Sequence, residues 1–86
     1  MKPTSVISLD THNFTLVYCG VDDLTQDLWD PLFEAGCDDA LLGMRAGEVT
    51  LGFAREAPSF REALLSAIAD VEKAALPIRL VRVEPI

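Results

Sequence analysis

The apolar residues of this chain switch between two periods, and the order of the switches constrains the fold more than any other feature. Phe14, Leu16 and Tyr18 alternate with Thr15, Val17 and Cys19, which puts each set on one face of a strand. Leu24, Leu28, Trp29, Leu32 and Phe33 follow at helical spacing. Asp39–Met44 and Glu48–Arg55 read as a hairpin. Phe60, Leu64, Ala67, Ile68, Val71 and Ala75 make a second helical stripe, and Ile78–Val83 is a final β-branched-rich strand. The predicted order is strand, helix, strand, strand, helix, strand. That order predicts a ferredoxin-like α+β sandwich, a four-stranded antiparallel sheet with two helices on one face.

Local signals set the predicted boundaries. Gly20 ends the first strand, Asp22 and Asp23 offer a helix cap, and Asp23 stands three residues before Gln26 as in a capping box. Pro31 removes a hydrogen bond to Asp27, yet the stripe runs through it, so one kinked helix is predicted. Gly36 suits the left-handed end of that helix. In the hairpin, Arg45-Ala46-Gly47 reads as a three-residue turn with Gly47 left-handed. This register puts Leu41 on the face of Val49, Leu51 and Phe53. Ser59 and Glu62 form a capping box for the second helix, which Pro77 stops. Residues 1–12 are predicted to be an extended lead-in, with Val6, Ile7 and Leu9 able to add a short strand, and 13–86 a single domain.

Composition narrows the function classes. With 86 residues, the chain fits one small domain with little margin, a size at which dimerisation often adds stability. The net charge is −7, which argues against direct nucleic-acid binding through phosphates. Residues 1–44 carry all of it, holding eight acidic side chains against Lys2 alone, whereas 45–86 are balanced. A solvated face explains that bias most simply, and a face for a basic partner is the functional reading. No apolar run reaches the ~20 residues of a membrane span. The start Met1-Lys2-Pro3-Thr4 lacks a signal-peptide pattern, so the expected location is cytoplasmic.

The motif search is empty. His12 is the single histidine, and the glycines fit no phosphate-binding pattern. No catalytic residue, metal site or cofactor is therefore expected. Cys19 and Cys37 fall at opposite ends of the predicted sheet, too far apart for a disulfide. A polar cluster of Cys37, Asp38, Asp39 and Arg55 is expected at one end, with an Arg55–Asp salt bridge as its simplest content. Trp29 and Phe33, on the helical stripe, are expected in the core. The turn of Gly20, Asp22 and Asp23, at the start of the first helix, is where a small ligand would be sought by fold analogy. The sheet face away from the helices is predicted to show Thr15, Val17, Ala40, Leu42, Met44, Thr50, Gly52 and Ala54, with Val81 and Val83 in one of two registers. Such a small, apolar face is expected to be covered by a second copy of the chain, giving a homodimer.

Three blocks carry a resemblance. They are Phe33-Glu-Ala-Gly-Cys-Asp-Asp-Ala-Leu-Leu-Gly43, Leu51-Gly-Phe-Ala-Arg-Glu-Ala57 and Ala63-Leu-Leu-Ser-Ala-Ile-Ala-Asp-Val-Glu-Lys-Ala74. In this order they resemble small bacterial domains of unassigned function that often stand ahead of a helix-turn-helix segment. The likeness covers roughly residues 13–84. It implies a regulatory or assembly domain and a regulator protein as partner. No helix-turn-helix follows here up to Ile86, so DNA binding is not implied. The leading expectation is thus a non-catalytic interaction module. The alternatives are a small-ligand sensor of the amino-acid-binding type and a small enzyme using the Cys37, Asp38, Asp39, Arg55 cluster.

Overall fold

The computed structural model describes residues 9–85. They form β1 (Asp10–Cys19), α1 (Gln26–Glu34), β2 (Ala40–Arg45), β3 (Glu48–Ala57), α2 (Phe60–Lys73) and β4 (Arg79–Pro85). The four strands make one antiparallel sheet in the order β2-β3-β1-β4. This is the ferredoxin-like α+β fold that the order of periods predicts. The strand suggested at Val6 and Ile7 lies outside the described residues, and Leu9 is exposed ahead of β1. The sheet itself begins before the expected boundary at 13. Asp10, Thr11 and His12 pair with Ala57, Glu56 and Arg55 of β3. These polar residues give no apolar alternation, so only their pairing reveals the strand.

The core lies between the sheet and the helices. Phe14, Leu16 and Tyr18 of β1 and Val49, Leu51 and Phe53 of β3 fill its floor, and Leu28, Leu32, Ala63, Ala67 and Val71 cover it. The Phe14 and Phe53 rings stack with centroids 5.5 Å apart, and Phe60 meets Phe14 edge-on at 5.6 Å. The start of α2 follows the sequence closely. Ser59 Oγ accepts a hydrogen bond from the Glu62 backbone N–H at 3.2 Å, which satisfies one of the free donors of the first turn.

The hairpin departs from expectation by one residue. Arg45 pairs with Glu48, leaving a two-residue loop in which Ala46 (φ +52°) and Gly47 (φ +79°) are both left-handed. The shift turns every side chain of β2 to the other face. Ala40, Leu42 and Met44 therefore lie on the helix side and not on the open face, while Leu41 points away from the core and is 79% exposed. The reason is energetic. A left-handed Ala costs roughly 1–2 kcal/mol. The alternative register would place Leu41 and Gly43 inward and leave the larger set, Leu42 and Met44, in water.

β4 carries a bulge. Tyr18 pairs with Leu80 and Val17 with Arg82, which leaves Val81 as the extra residue. Leu80 and Val83, three residues apart, can then both pack on the core. Val83 is thus not on the open face, and Arg79, Arg82 and Glu84 stand opposite Cys19, Val17 and Thr15 there.

α1 starts two residues later than the Asp23 capping box predicts. Its cap is Thr25, with no side-chain hydrogen bond, and Asp22 and Asp23 belong to the crossing from Gly20. Pro31 is inside one continuous helix. Gly36, at φ +110°, ends it, and the Cys37 N–H returns to the Leu32 carbonyl at 3.0 Å. Only the Leu28–Leu32 ridge reaches the core. Trp29 and Phe33, about 100° further round the helix, are 44% and 65% exposed, contrary to expectation.

Candidate functional site

At the corner where the α1–β2 loop meets β3, Arg55 and Asp39 form the expected salt bridge. Arg55 is aimed there by its place on β3, two residues after Phe53, over whose ring its guanidinium lies at 5.0 Å. Asp39 takes two bonds from it, from Nε at 3.0 Å and Nη2 at 2.8 Å. Asp70 and Ser66, one helical turn apart on α2, take bonds from Nη1 at 2.9 and 3.2 Å, and the Gly36 carbonyl takes one from Nη2 at 3.0 Å. All five N–H donors of the guanidinium are thereby used. Asp38 is exposed and outside this set. Asp70 and Ser66 gave one usable signal, their spacing of four on a single helix, but nothing in the sequence pairs that helix with position 55.

The protonation states are those of a closed ion-pair staple. The hydrogen bonds that Arg55 donates hold the Asp39 carboxyl below its ordinary range, and donating them to Asp39 pushes Arg55 up. Burial, reinforced by Asp70, pushes the Cys37 thiol up to about 11. Cys37 is therefore a buried neutral thiol at neutral pH, and Asp39 is a carboxylate already committed to Arg55. Among the described residues no group of three or more His, Cys, Asp or Glu is placed to hold a metal ion.

The Gly20, Asp22, Asp23 turn is shaped by packing. Gly20 has φ +129°, and a Cβ there would run into the Pro77 carbonyl oxygen. An open depression of ≈ 400 Å³ beside it offers Asp22, Asp23 and Asp27 with apolar Leu28, Leu76 and Pro77. One other feature stands apart. Tyr18 Oη is buried without a hydrogen-bond partner among the described residues, in a side chain that lines a ≈ 340 Å³ gap between α2 and β4. Burial pushes its pKa up to about 12.

The sheet face away from the helices is ionic, not apolar. Arg82 of β4 reaches Glu48 of β3 at 2.9 Å, arching over β1, and Arg45 of β2 reaches Glu84 of β4 at 3.0 Å. Arg82 and Glu84 are also joined, at 3.0 Å. Thr15, Thr50, Gly52 and Ala54 lie on this face by register, and Val17 beneath it is fully buried. The absence of Ala40, Leu42 and Val83 from this face, and the presence of these charges, remove the apolar patch on which a stacked second copy was expected.

The apolar surface is instead at the β2 side. Trp29 and Phe33 of α1 border a small cleft of ≈ 120 Å³ with Leu32, Cys37, Ala40 and Leu42. β2 is the last strand on that side, so half of its backbone groups have no strand to bond among the described residues. Asp38 lines this cleft, and Asp30 and Glu34 stand on the turn of α1 beside Trp29 and Phe33; all three acids are exposed.

Comparison of the chain with protein-family models, curated proteins and solved structures gives no match. The fold class and the geometry above are therefore what define this molecule. Among the described residues no helix is long and apolar enough to cross a membrane.

Proposed function

We propose that this chain is a non-catalytic interaction module that docks a partner protein through α1 and the free edge of β2. The observation that carries this reading is the pair Trp29 and Phe33, large aromatic side chains left 44% and 65% exposed beside a strand whose outer edge no other strand covers among the described residues. Exposed aromatics grouped at a cleft are typical anchors of protein interfaces. The resemblance to domains that stand ahead of DNA-binding segments adds a bacterial regulator as the source of the partner. Unpaired Cys19 and Cys37 suit a cytoplasmic setting. A photo-crosslinking residue placed at position 33 or 41 is expected to capture a protein partner in cells, while one at position 81 of β4 captures none. Equal capture from both edges, or none from either, would count against the reading.

A second reading, a small-ligand sensor, draws on the unpartnered Tyr18 hydroxyl. It calls for a largely apolar ligand bearing one hydrogen-bonding group. A melting-shift screen with small apolar amino acids tests it, since such a ligand raises Tm by binding the folded state alone.

A further inference from the structure

We infer that the partner presents a basic, extended segment that adds to β2 as a fifth strand. This rests on the docking surface proposed above and names what fills it.

The mode follows from the edge. Ala40-Leu-Leu-Gly-Met44 holds no charge, no proline and no bulge, and its register with β3 is regular from Ala40 to Arg45. Natural edge strands normally carry one of those guards, because an unguarded edge is a template for pairing. Six residues of strand span roughly 20 Å, which sets the length of the segment. Its alternate side chains fall on the two faces of the sheet. Those on the helix side meet Trp29, Phe33 and Leu42 and must be apolar. Those on the other side meet Leu41.

The charge follows from α1. Residues 3–44 contain no Lys and no Arg. Trp29 and Phe33 form one ridge of the helix, and Asp30 and Glu34 form the ridge next to it. Any segment seated against the aromatic ridge therefore lies within reach of acidic side chains that no basic residue of this region offsets. A segment with Lys or Arg flanking its apolar positions matches that field. A second copy does not match it. Pairing β2 with β2 about a two-fold axis sets α1 beside α1, and so places side by side two helices that carry Asp27, Asp30 and Glu34 and no basic residue.

The test is selection from a display library of random twelve-residue peptides on the intact chain, followed by amide shift mapping of the winners. The expected winners alternate apolar residues with Lys or Arg and shift the amides of Ala40–Arg45. The double variant D30N/E34Q, both exposed positions, should weaken them about fivefold and flatten their salt dependence while circular dichroism stays unchanged. Neutral or acidic winners that map to β2 would overturn the inference and leave the docking surface standing. So would a dimer in sedimentation whose β2 amides are protected by self-pairing. Winners that shift no amide of β2 or α1, or a selection with no winner from a monomeric chain, would overturn both.

Discussion

β4 and β2 are both edge strands of one sheet, but only β4 carries features that keep an edge from pairing. Its seven residues include Arg79, Arg82, Glu84 and Pro85, and the bulge at Val81 breaks its regularity. β2 has Arg45 at its very end and otherwise only Ala, Leu, Gly and Met. The two edges are also held differently. β4 enters the sheet through close backbone packing, Gly20 against Pro77. β2 enters it through a side-chain staple, Asp39 and Gly36 tied to Arg55. A sheet with one closed edge and one open edge has a direction in which it can grow. That asymmetry is a stronger pointer to function than any single residue here.

The largest test of the contrast is Arg55→Ala. It leaves the part-buried Asp39 carboxylate without its cation and Asp70 with only the exposed Lys73, and the expected loss is about 3 kcal/mol in chemical denaturation. Amide exchange should rise at β2 well before it rises at β4. Equal loosening of the two edges would break the idea that the staple serves β2. On the other side, Gly20→Ala forces a side chain into a left-handed site already touching Pro77, and should cost about 2 kcal/mol with β4 loosening first.

Acid titration sharpens the same comparison. Asp39 has a folded-state pKa below its unfolded value, so the folded chain binds fewer protons than the unfolded chain as pH falls below about 5. Stability is then lost as pH drops through the folded pKa, and Arg55→Ala should remove that slope. At the alkaline end the sign reverses. Cys37, raised from 9.0 to about 11, should make stability fall from pH 9 upward; Cys37→Ala should remove that part and leave the fall that Tyr18, raised from 10.0 to about 12, contributes at higher pH. Thermal melts across pH check both.

The smallest effects are expected on the exposed surfaces. Arg82→Ala should change stability only slightly, and less still in high salt, because its ion pairs are open to solvent. Leu41→Lys, at a position 79% exposed, should change stability by less than about 0.5 kcal/mol while closing the edge to peptide. Peptide affinity in titration calorimetry reads the second effect. Retained affinity would mean that the bound segment does not lie on β2.

The topology was legible because the two helices and the cores of β1 and β3 announce their periods, and the α2 cap because Ser59 and Glu62 are neighbours in sequence. What failed were features decided by contacts remote in sequence. The β2 register hung on whether Ala46 would accept a left-handed backbone, and only the gain from burying Leu42 and Met44 settles that. The bulge at Val81 spaces Leu80 and Val83 by three, which hides the alternation that reveals a strand. Both errors turned side chains over, so the open face was read as apolar when it is spanned by Arg45, Arg82, Glu48 and Glu84. In the polar cluster, Asp39 and Arg55 were visible and Asp70 was not. Trp29 and Phe33 were misplaced because a helical stripe five residues strong looks the same whether two or all of them reach the core.

The saturation of Arg55 has a consequence for how this sequence can vary. Its acceptors come from a loop, two residues of α2 and a backbone carbonyl, and they are met by one planar group. Lysine offers three donors from a single nitrogen and cannot reach that spread. Position 55 therefore has no conservative replacement. A chain drifting away from arginine there would have to change positions 39 and 70 with it, or be left with two carboxylates sharing one corner.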